Sequence, residues 1–302
     1  MKKMFLKIFG GALMLTLVIT SCKKTTDVAL PPIGGFNNAG EVGKTDLVAY
    51  IPLDCSGEES ISKKSPEATT GVSFTSGKKG QCASLTKGYL AYPAIAALSA
   101  NTASYSVSCW FTAYNNKTDN GGSATMLVSL TRPNEWAGNF NFLSETGWRA
   151  SGNDTLILKG LLVSREGTPA VDSWQDSRNE PSKGGDQAIK LASTTTKENW
   201  VHGVITYDAT NSNFLIYANG KKVSNPEWEV RSFNSNPLGD LVFNPGATRL
   251  VLGAFGTNIP GNGTIESWQV PMTGKMDEVR IWKKALSAQE IDALYQLESA
   301  GR

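Results

Sequence analysis

The stretch from Gly274 to Gln296 constrains the fold more than any other, because it joins a strand to a helix with a well-defined start. Val279 and Ile281 alternate with polar residues, and this period of two is typical of a strand with one apolar face. Ser287 and Glu290 have the spacing of a capping box. The apolar stripe of the helix that follows must therefore lie against a sheet.

The rest of the chain has the pattern of an all-β domain. Residues Tyr105 to Thr112 alternate cleanly and predict a strand central to the core. The dipeptide Asn219-Gly220 lies between apolar runs and predicts a tight hairpin turn of type I′. Thirty glycines and thirteen prolines suit many turns between short strands. The polar segment Ser164–Thr196 interrupts this pattern and is interpreted as a long inserted loop.

Several segments resemble the laminin G-like, concanavalin A-like jelly-roll family. The matching runs are LVAYIPLD from residue 47, GQCASL from residue 80, YSVSCWFT from residue 105, WVHGVITYD from residue 200, and GKMDEV with ALSAQEI in the closing stretch. The resemblance implies a single all-β domain over residues 47–302. Its expected architecture is a two-sheet antiparallel jelly-roll sandwich of the concanavalin A-like kind, with a short C-terminal helix. The expected function is carbohydrate binding outside the cell.

Residues 1–21 have the features of an export signal. Three lysines precede an apolar run of about a dozen residues, which is too short to span a bilayer. Ile19-Thr20-Ser21-Cys22 resembles a lipobox, which predicts that Cys22 becomes the acylated first residue of a bacterial lipoprotein. The alternative is an ordinary secretory signal with a chance cysteine. The expected location is the outer membrane of a Gram-negative bacterium, at its cell-surface or periplasmic face, with lipid as the anchor.

Residues 22–46 are rich in glycine, proline and asparagine, and they predict a flexible linker between Cys22 and the domain. Residues 1–21 hold three of the 29 basic residues and none of the 27 acidic ones, so the chain beyond them is close to neutral. A nucleic-acid partner is therefore not expected, because no basic footprint remains.

Catalysis has little support in the sequence, and we expect a protein that is not an enzyme. His202 is the only histidine, so neither a histidine-based metal cluster nor a serine triad can be assembled; we interpret it as a hydrogen-bonded sheet residue. Glycosidases of related fold space their carboxylates as E-x-D-x-x-E along one strand, and this spacing is missing here. Glu227 and Glu229 share one face of a predicted extended segment, a pattern more typical of a solvated edge.

Tryptophans in polar loops are the better indication of function. Sugar rings bind to flat apolar surfaces flanked by amide or carboxylate groups. Five tryptophans lie in polar, Gly/Asn-rich surroundings: Trp136, Trp148, Trp174, Trp228 and Trp268. We predict that some of them form a platform for an oligosaccharide or polysaccharide. The alternative is that each covers the core beneath a loop.

Two rival functions come from other classes. One is a protein-binding or scaffold module of a cell-surface complex, which an apolar patch would favour. The other is a glycan-cleaving enzyme with an unfamiliar carboxylate pair, for which release of reducing ends would be the sign. The family resemblance allows all three functions, because a fold does not determine its ligand.

Asp277 shares the strand face of Val279 and Ile281, where an unpaired carboxylate is costly. Many members of the family hold a calcium ion near a sheet rim, and oxygen ligands suit that ion. We therefore predict one structural calcium ion with Asp277 and Asp54 as ligands. An arginine or lysine partner for Asp277 is the alternative.

Three cysteines remain once Cys22 is assigned to lipid. In an exported domain, Cys55 and Cys82 lie at the ends of early strands and are the predicted disulfide pair. Cys109 occupies the position of an alanine in the family's central strand. It is therefore predicted to stay a small buried thiol.

Overall fold

Strands dominate the computed structural model, which describes residues 30–165, 172–180, 188–243 and 249–302. The predicted export signal and Cys22 lie outside the described residues. The strands are β1 Leu47–Ile51, β2 Ala68–Ser76, β3 Gln81–Ala91, β4 Tyr105–Phe111, β5 Thr125–Leu130, β6 Phe140–Ser144, β7 Leu158–Arg165, β8 Asp172–Arg178, β9 Val201–Asp208, β10 Asn213–Ala218, β11 Lys221–Lys222, β12 Ser232–Phe233, β13 Asn236–Pro237, β14 Leu250–Leu252 and β15 Met272–Trp282. The α-helix α1 spans Ala288–Ser299, and short 3₁₀ turns lie at Ala39–Glu41, Ala96–Leu98, Thr146–Trp148, Pro226–Trp228 and Gly256–Asn258.

The predicted jelly-roll sandwich is confirmed. Antiparallel pairing runs continuously in the order β11-β10-β9-β4-β15-β3-β14-β5-β6-β7-β8, with β1 added beside β15 and β2 beside β3. The long strand β3 pairs with β15 through its first half and with β14 through its last residues, so it joins two layers. The sheet thereby folds over itself and encloses one core.

The two layers meet through aromatic rings. Tyr105 of β4 stacks on Phe140 of β6 with ring centroids 5.0 Å apart, and Phe111 meets Phe142 edge-on at 6.1 Å. Every residue of β4 is buried between β9 and β15, which confirms the prediction of a central strand. Asn219 and Gly220 both have positive φ, as the type I′ turn between β10 and β11 requires.

The helix α1 begins as its capping box predicts. The Ser287 side chain accepts from the Glu290 backbone N–H, and the Glu290 carboxylate accepts from the Ser287 N–H in return. Its buried face includes Ile291, Leu294 and Leu297, which pack with Trp282 on the outer face of the β9-β4-β15 layer. No helix among the described residues is long and apolar enough to cross a membrane.

A buried ionic cluster lies beneath α1. Arg280 pairs with Glu278, with Nη2 and Oε2 2.6 Å apart, and also with Glu298 of the helix. The Trp110 indole N–H donates to Glu298 Oε2 at 2.6 Å, and the Tyr50 hydroxyl donates to Glu278 at 2.9 Å. These contacts fix the last turn of α1 to the sheet.

His202 is buried beside this cluster in strand β9, and its backbone N–H donates to the Asn219 side chain at 2.9 Å. Its ring lies near the rings of Trp110 and Tyr295, with centroids 5.2 and 6.0 Å away. The ring Nε2 lies 3.5 Å from Glu298 Oε2, and neither ring nitrogen makes a hydrogen bond with the described residues. Burial, with the neighbouring Arg280 charge, lowers the pKa of His202 to about 3, so the ring is neutral and serves packing.

The predicted linker is shorter than residues 22–46. Ile33, Phe36 and Val42 pack against the apolar face of α1. The backbone N–H of Ala39 donates to the Arg302 carbonyl at 3.2 Å, and Trp282 Nε1 donates to the Val42 carbonyl at 3.1 Å. Residues 32–302 form one compact unit, so the domain begins before residue 47. The scattered apolar residues of this segment have no period, which is why the sequence did not reveal their packing.

The predicted insertion Ser164–Thr196 contains a strand instead of being a loop throughout. Strand β8 pairs with β7 from Lys159↔Arg178 to Arg165↔Asp172 and forms an edge of the sheet. Its residues alternate between buried serine or glutamine and outward-facing charged or aromatic side chains. Because its buried side chains are polar, β8 lacks the apolar alternation by which strands are usually recognised.

The predicted disulfide is wrong, because Cys55 and Cys82 are both free thiols. Cys55 is exposed, whereas Cys82 is fully buried and its Sγ donates to the Ser76 carbonyl at 3.4 Å. Burial raises the pKa of Cys82 to about 11. Cys109 is likewise a free thiol in the core, and burial raises its pKa strongly.

We expect a thiol reagent to label Cys55 in the native protein, and Cys82 and Cys109 only after unfolding. The reason is that the thiolate reacts, and burial both shields the two inner thiols and keeps them protonated. Mass spectrometry of peptides alkylated before and after denaturation measures this order. A Cys55–Cys82 peptide in a non-reducing map would contradict it.

Candidate functional site

The outer face of the β5-β6-β7-β8 layer carries the candidate site. Leu158 and Leu162 of β7 point into the core, so Leu161 and Val163 face outward. The β8 partners of the outward residues of β7 are Arg178, Asp176, Trp174 and Asp172. This face lies on the opposite side of the sandwich from α1, which covers the outer face of the other layer.

Three of the five predicted tryptophans meet on this face. The ring of Trp136 lies 5.6 Å from that of Trp174 and 5.1 Å from that of Trp268, in the second case edge to face. Phe255 completes the group, 5.2 Å from Trp268 and 6.2 Å from Trp136. We call Trp136, Trp174, Trp268 and Phe255 the aromatic platform.

The members of the aromatic platform differ in exposure, and this difference separates the rings that support the platform from the ring that can contact a ligand. Trp136 packs against Leu161 and Val163 beneath it, and Phe255 is fully buried. Trp174 is 43% exposed on the edge strand, among the most exposed large apolar residues of the described chain. Trp136 and Phe255 are therefore the base, and Trp174 offers its ring to a ligand.

Polar groups border the exposed ring. The guanidinium of Arg132 lies over Trp174, 5.7 Å from the ring centroid, and it pairs with Asp172. The Trp268 indole N–H donates to Glu266 at 2.6 Å. The arrangement combines a flat apolar surface with charged groups at its rim, which is what recognition of a polyhydroxylated ring requires.

Trp148 and Trp228 lie apart from the aromatic platform. The Arg178 guanidinium sits 5.8 Å from the Trp148 ring and 4.7 Å from the Trp228 ring, and Arg231 lies 5.8 Å from Trp228. This alternation of arginine and tryptophan braces the loops beside β8. The prediction that some of the five form one surface is supported for three, and these two are better explained as structural supports.

Carboxylates on the same face are paired with cations. Lys159 lies between Glu145 and Asp176, with Nζ to oxygen distances of 3.5 and 3.2 Å, and Arg178 reaches Asp176 at 2.7 Å. Burial raises the pKa of Glu145, although the Lys159 charge opposes that rise. Each carboxylate is therefore held by a cation, Glu145 by Lys159 and Asp176 by Lys159 and Arg178.

The segment of Glu227 and Glu229 is also not a catalytic strand. It forms the 3₁₀ turn Pro226–Trp228 rather than the predicted extended run. Glu229 accepts from Lys222 and from the Ser224 hydroxyl at 2.7 Å, so it closes the β10–β11 hairpin.

The predicted calcium ligands both hold a turn. Asp277 accepts the backbone N–H groups of Lys78 and Lys79 through Oδ2, at 2.8 and 3.0 Å, and its own neighbour's N–H through Oδ1. Asp54 accepts the Gln81 N–H at 2.6 Å on the same β2–β3 turn. The structural calcium ion with these two ligands stays a prediction.

The described residues contain no group of three or more His, Cys, Asp or Glu side chains that could hold a metal ion. Among the described residues, the partners of Asp277 are backbone N–H groups, and no lysine or arginine side chain pairs with it. Desolvation by burial raises the pKa of Asp277 to about 7, against the lowering effect of the N–H donors.

We expect the wild-type protein to lose stability relative to D277N as the pH rises from about 4 to about 7. A folded-state pKa near 7 exceeds the unfolded value, so the folded state holds the extra proton in this window and loses that advantage as the proton leaves. Urea unfolding of both proteins across this range measures the difference. Parallel profiles would contradict it, and D54N serves as the control on the same turn.

Sequence reasoning missed several residues of the site. Phe255 and Arg132 lie in loops after short strands, and Asp172 lies at the start of the unrecognised β8. One signal was present: every second residue from Asp172 to Arg178 is either charged or a tryptophan, and the residues between them are serine or glutamine. That period predicts an edge strand with a functional outer face.

Comparison with known proteins identifies the family of the fold. A laminin G family model, described as the concanavalin A-like lectin/glucanases superfamily, matches residues 85–292. No curated protein is significantly similar to the chain.

Two solved structures illustrate the likeness. The binding domain of Paraclostridial Mosquitocidal Protein 1 has 14% identity and a TM-score of 0.53, over 84% of this chain and 52% of that one. The binding domain of Botulinum Neurotoxin DC, solved in complex with SialylT, has 13% identity and a TM-score of 0.51, over 85% of this chain and 52% of that one. The chain thus spans about half the length of these structures, and identities this low concern the fold alone. With the family match over most of its length, the chain belongs to the concanavalin A-like lectin/glucanase superfamily.

Proposed function

We propose that this protein is a non-catalytic, lectin-like binder of an extracellular glycan, and that the aromatic platform is its binding surface. The observation that carries the proposal is the convergence of Trp136, Trp174 and Trp268 from separate parts of the chain, with Trp174 left 43% exposed. A sugar ring stacked on Trp174 would bury its C–H face while its hydroxyls meet the charged rim.

The surroundings of the platform support binding over catalysis. Glu145 and Asp176 are both engaged by Lys159, and the sequence lacks the E-x-D-x-x-E spacing of glycosidases with a related fold. The two similar structures are both described as binding domains, and one is solved with SialylT. By analogy, a sandwich of this shape can serve recognition without chemistry.

The proposal includes attachment to the outer membrane through lipid on Cys22. Residues 32–46 belong to the compact unit of the domain, so the domain begins ten residues after Cys22. Labelling of the growing cell with a radioactive fatty acid tests the anchor, and C22S is expected to abolish the label.

The experiment that tests glycan binding is an array of polysaccharides and oligosaccharides probed with the purified protein. A hit that W174A abolishes supports the proposal. A blank array from a folded protein would contradict it and would favour a protein partner in a cell-surface complex, because the exposed part of the aromatic platform is also an apolar contact surface. Release of reducing ends from a bound polysaccharide would instead show an enzyme.

A further inference from the structure

The charges beside Trp174 do not balance. Arg132 and Arg165 both reach Asp172, and no other carboxylate of the described residues lies within ion-pair distance of either guanidinium. Two positive charges therefore share one negative charge at this end of β8. Elsewhere on the face the balance is the reverse, because Lys159 and Arg178 meet three carboxylates, which are Glu145, Asp176 and Glu180.

Asp172 neutralises Arg132 rather than Arg165. It hydrogen-bonds to Arg132, whose side chain is only 3% exposed, whereas its oxygen lies 3.8 Å from Arg165 Nε, too far for a hydrogen bond. A buried guanidinium without a counter-charge is costly, so the carboxylate is committed to Arg132. Within the described residues, Arg165 is therefore left with the 3.8 Å contact to Asp172 and no closer carboxylate.

Unused hydrogen-bond donors lie at the same place. Among the described residues, the buried Nε of Arg165 has no hydrogen-bond partner, and the Nε and Nη1 of Arg132 also lack one. Buried donors in folded proteins are normally paired, so a cluster of unpaired ones calls for an acceptor. The Arg165 side chain is 22% exposed as a whole, which leaves it open to an acceptor that arrives from solvent.

Arg165 is close enough to Trp174 to share one ligand with it. Arg165 pairs with Asp172 across the β7–β8 ladder, and Val163 pairs with Trp174. Arg165 and Trp174 are therefore diagonal neighbours on one face, a separation of about 7–8 Å between backbones. A sugar ring stacked on Trp174 would direct one of its substituents toward Arg165.

We propose that the glycan is acidic, and that its carboxylate or sulfate group pairs with Arg165 while its ring stacks on Trp174. This inference rests on the proposed function. It also sets the orientation of the bound glycan along β8. The acidic group binds at the Asp172 end, because the carboxylates at the Asp176 end would repel it.

Matched pairs of probes that differ only in the acidic group provide the test: 3′-sialyllactose with its methyl ester, keratan sulfate with desulfated keratan, and polygalacturonate with its methyl ester. Binding of the purified protein to each is measured by calorimetry at low and at physiological salt. In at least one pair we expect the acidic member to bind about tenfold to a hundredfold more tightly, the effect of one charge-assisted hydrogen bond.

Substitutions test whether Arg165 causes the preference for the acidic member of each pair. R165Q is expected to remove the preference, and R165K to restore part of it. R249Q is the matched control, since Arg249 pairs with Glu67. Glu166 lies outside the described residues, so E166Q is included as a further control. If E166Q binds the acidic member tenfold more tightly, the chain itself supplies the counter-charge of Arg165, and this result would overturn the inference.

The outcomes separate the two proposals. Equal affinity for the acidic and neutral members of the pairs that bind, or an unchanged preference in R165Q, overturns the acidic-glycan inference and leaves glycan binding intact. If no member of any pair binds and the wider array is also blank, the proposed function itself fails, and this inference fails with it.

Discussion

Replacing Arg280 with methionine is expected to lower the free energy of unfolding by about 3–5 kcal/mol. Arg280 is buried between Glu278 and Glu298, whose side chains are each 1% exposed. Without the guanidinium, two carboxylates remain in a site that water does not reach. Breaking a buried pair is costly for this reason, even where the intact pair contributes little.

Urea unfolding measures the loss, and two controls define its cause. The triple variant R280M/E278Q/E298Q removes the carboxylate charges with the arginine, and it is expected to recover a large part of the lost stability. R249M breaks the half-exposed pair with Glu67 and is expected to cost less than about 1 kcal/mol. A loss of similar size in R280M and R249M would show that the buried cluster has no special role.

Amide hydrogen exchange gives a local readout of the same change. The indole of Trp110 donates to Glu298, and this bond connects the sheet to the last turn of α1. R280M should therefore lower the protection of the amides from Leu294 to Ser299 against hydrogen exchange. The amides of strand β6, in the other layer, should lose less protection. Uniform loss of protection would show that the cluster acts on the whole domain instead.

Replacing Trp174 with alanine is expected to weaken glycan binding by about thirtyfold or more, the effect of removing a central aromatic contact. Trp174 is 43% exposed and its removal opens no cavity in the core, so the free energy of unfolding should change by less than about 1 kcal/mol. Calorimetry with the best probe from the array, together with urea unfolding, measures both quantities.

Trp228 provides the matched control for Trp174. It is a tryptophan beside the same edge strand, but its ring packs against Arg178 and Arg231 instead of joining the aromatic platform. W228A is expected to lower stability and to leave the affinity within about twofold. If W228A weakens binding as much as W174A does, the binding surface extends along β8 and the aromatic platform is not its centre.

The sequence alone determined the elements whose signals are local. The capping box of Ser287 and Glu290 defines where α1 begins, because two side chains satisfy backbone groups within one turn. Asn219-Gly220 sets the hairpin turn, since both residues tolerate positive φ. The alternation of apolar and polar residues in β4, together with the family resemblance, then predicted the layered fold. These features need no knowledge of distant residues.

Tertiary structure decided what depends on distant residues. Trp136, Trp174 and Trp268 come from three loops or strands, and only the folding of the sheet shows that they meet while Trp148 and Trp228 do not. The partners of a polar group are equally non-local. Asp277 accepts the backbone N–H groups of the turn at Lys78 and Lys79, and Cys55 and Cys82 remain unpaired although both lie near the ends of early strands. A one-dimensional pattern reports which face a side chain takes, whereas the identity of its neighbour is set by how the layers pack.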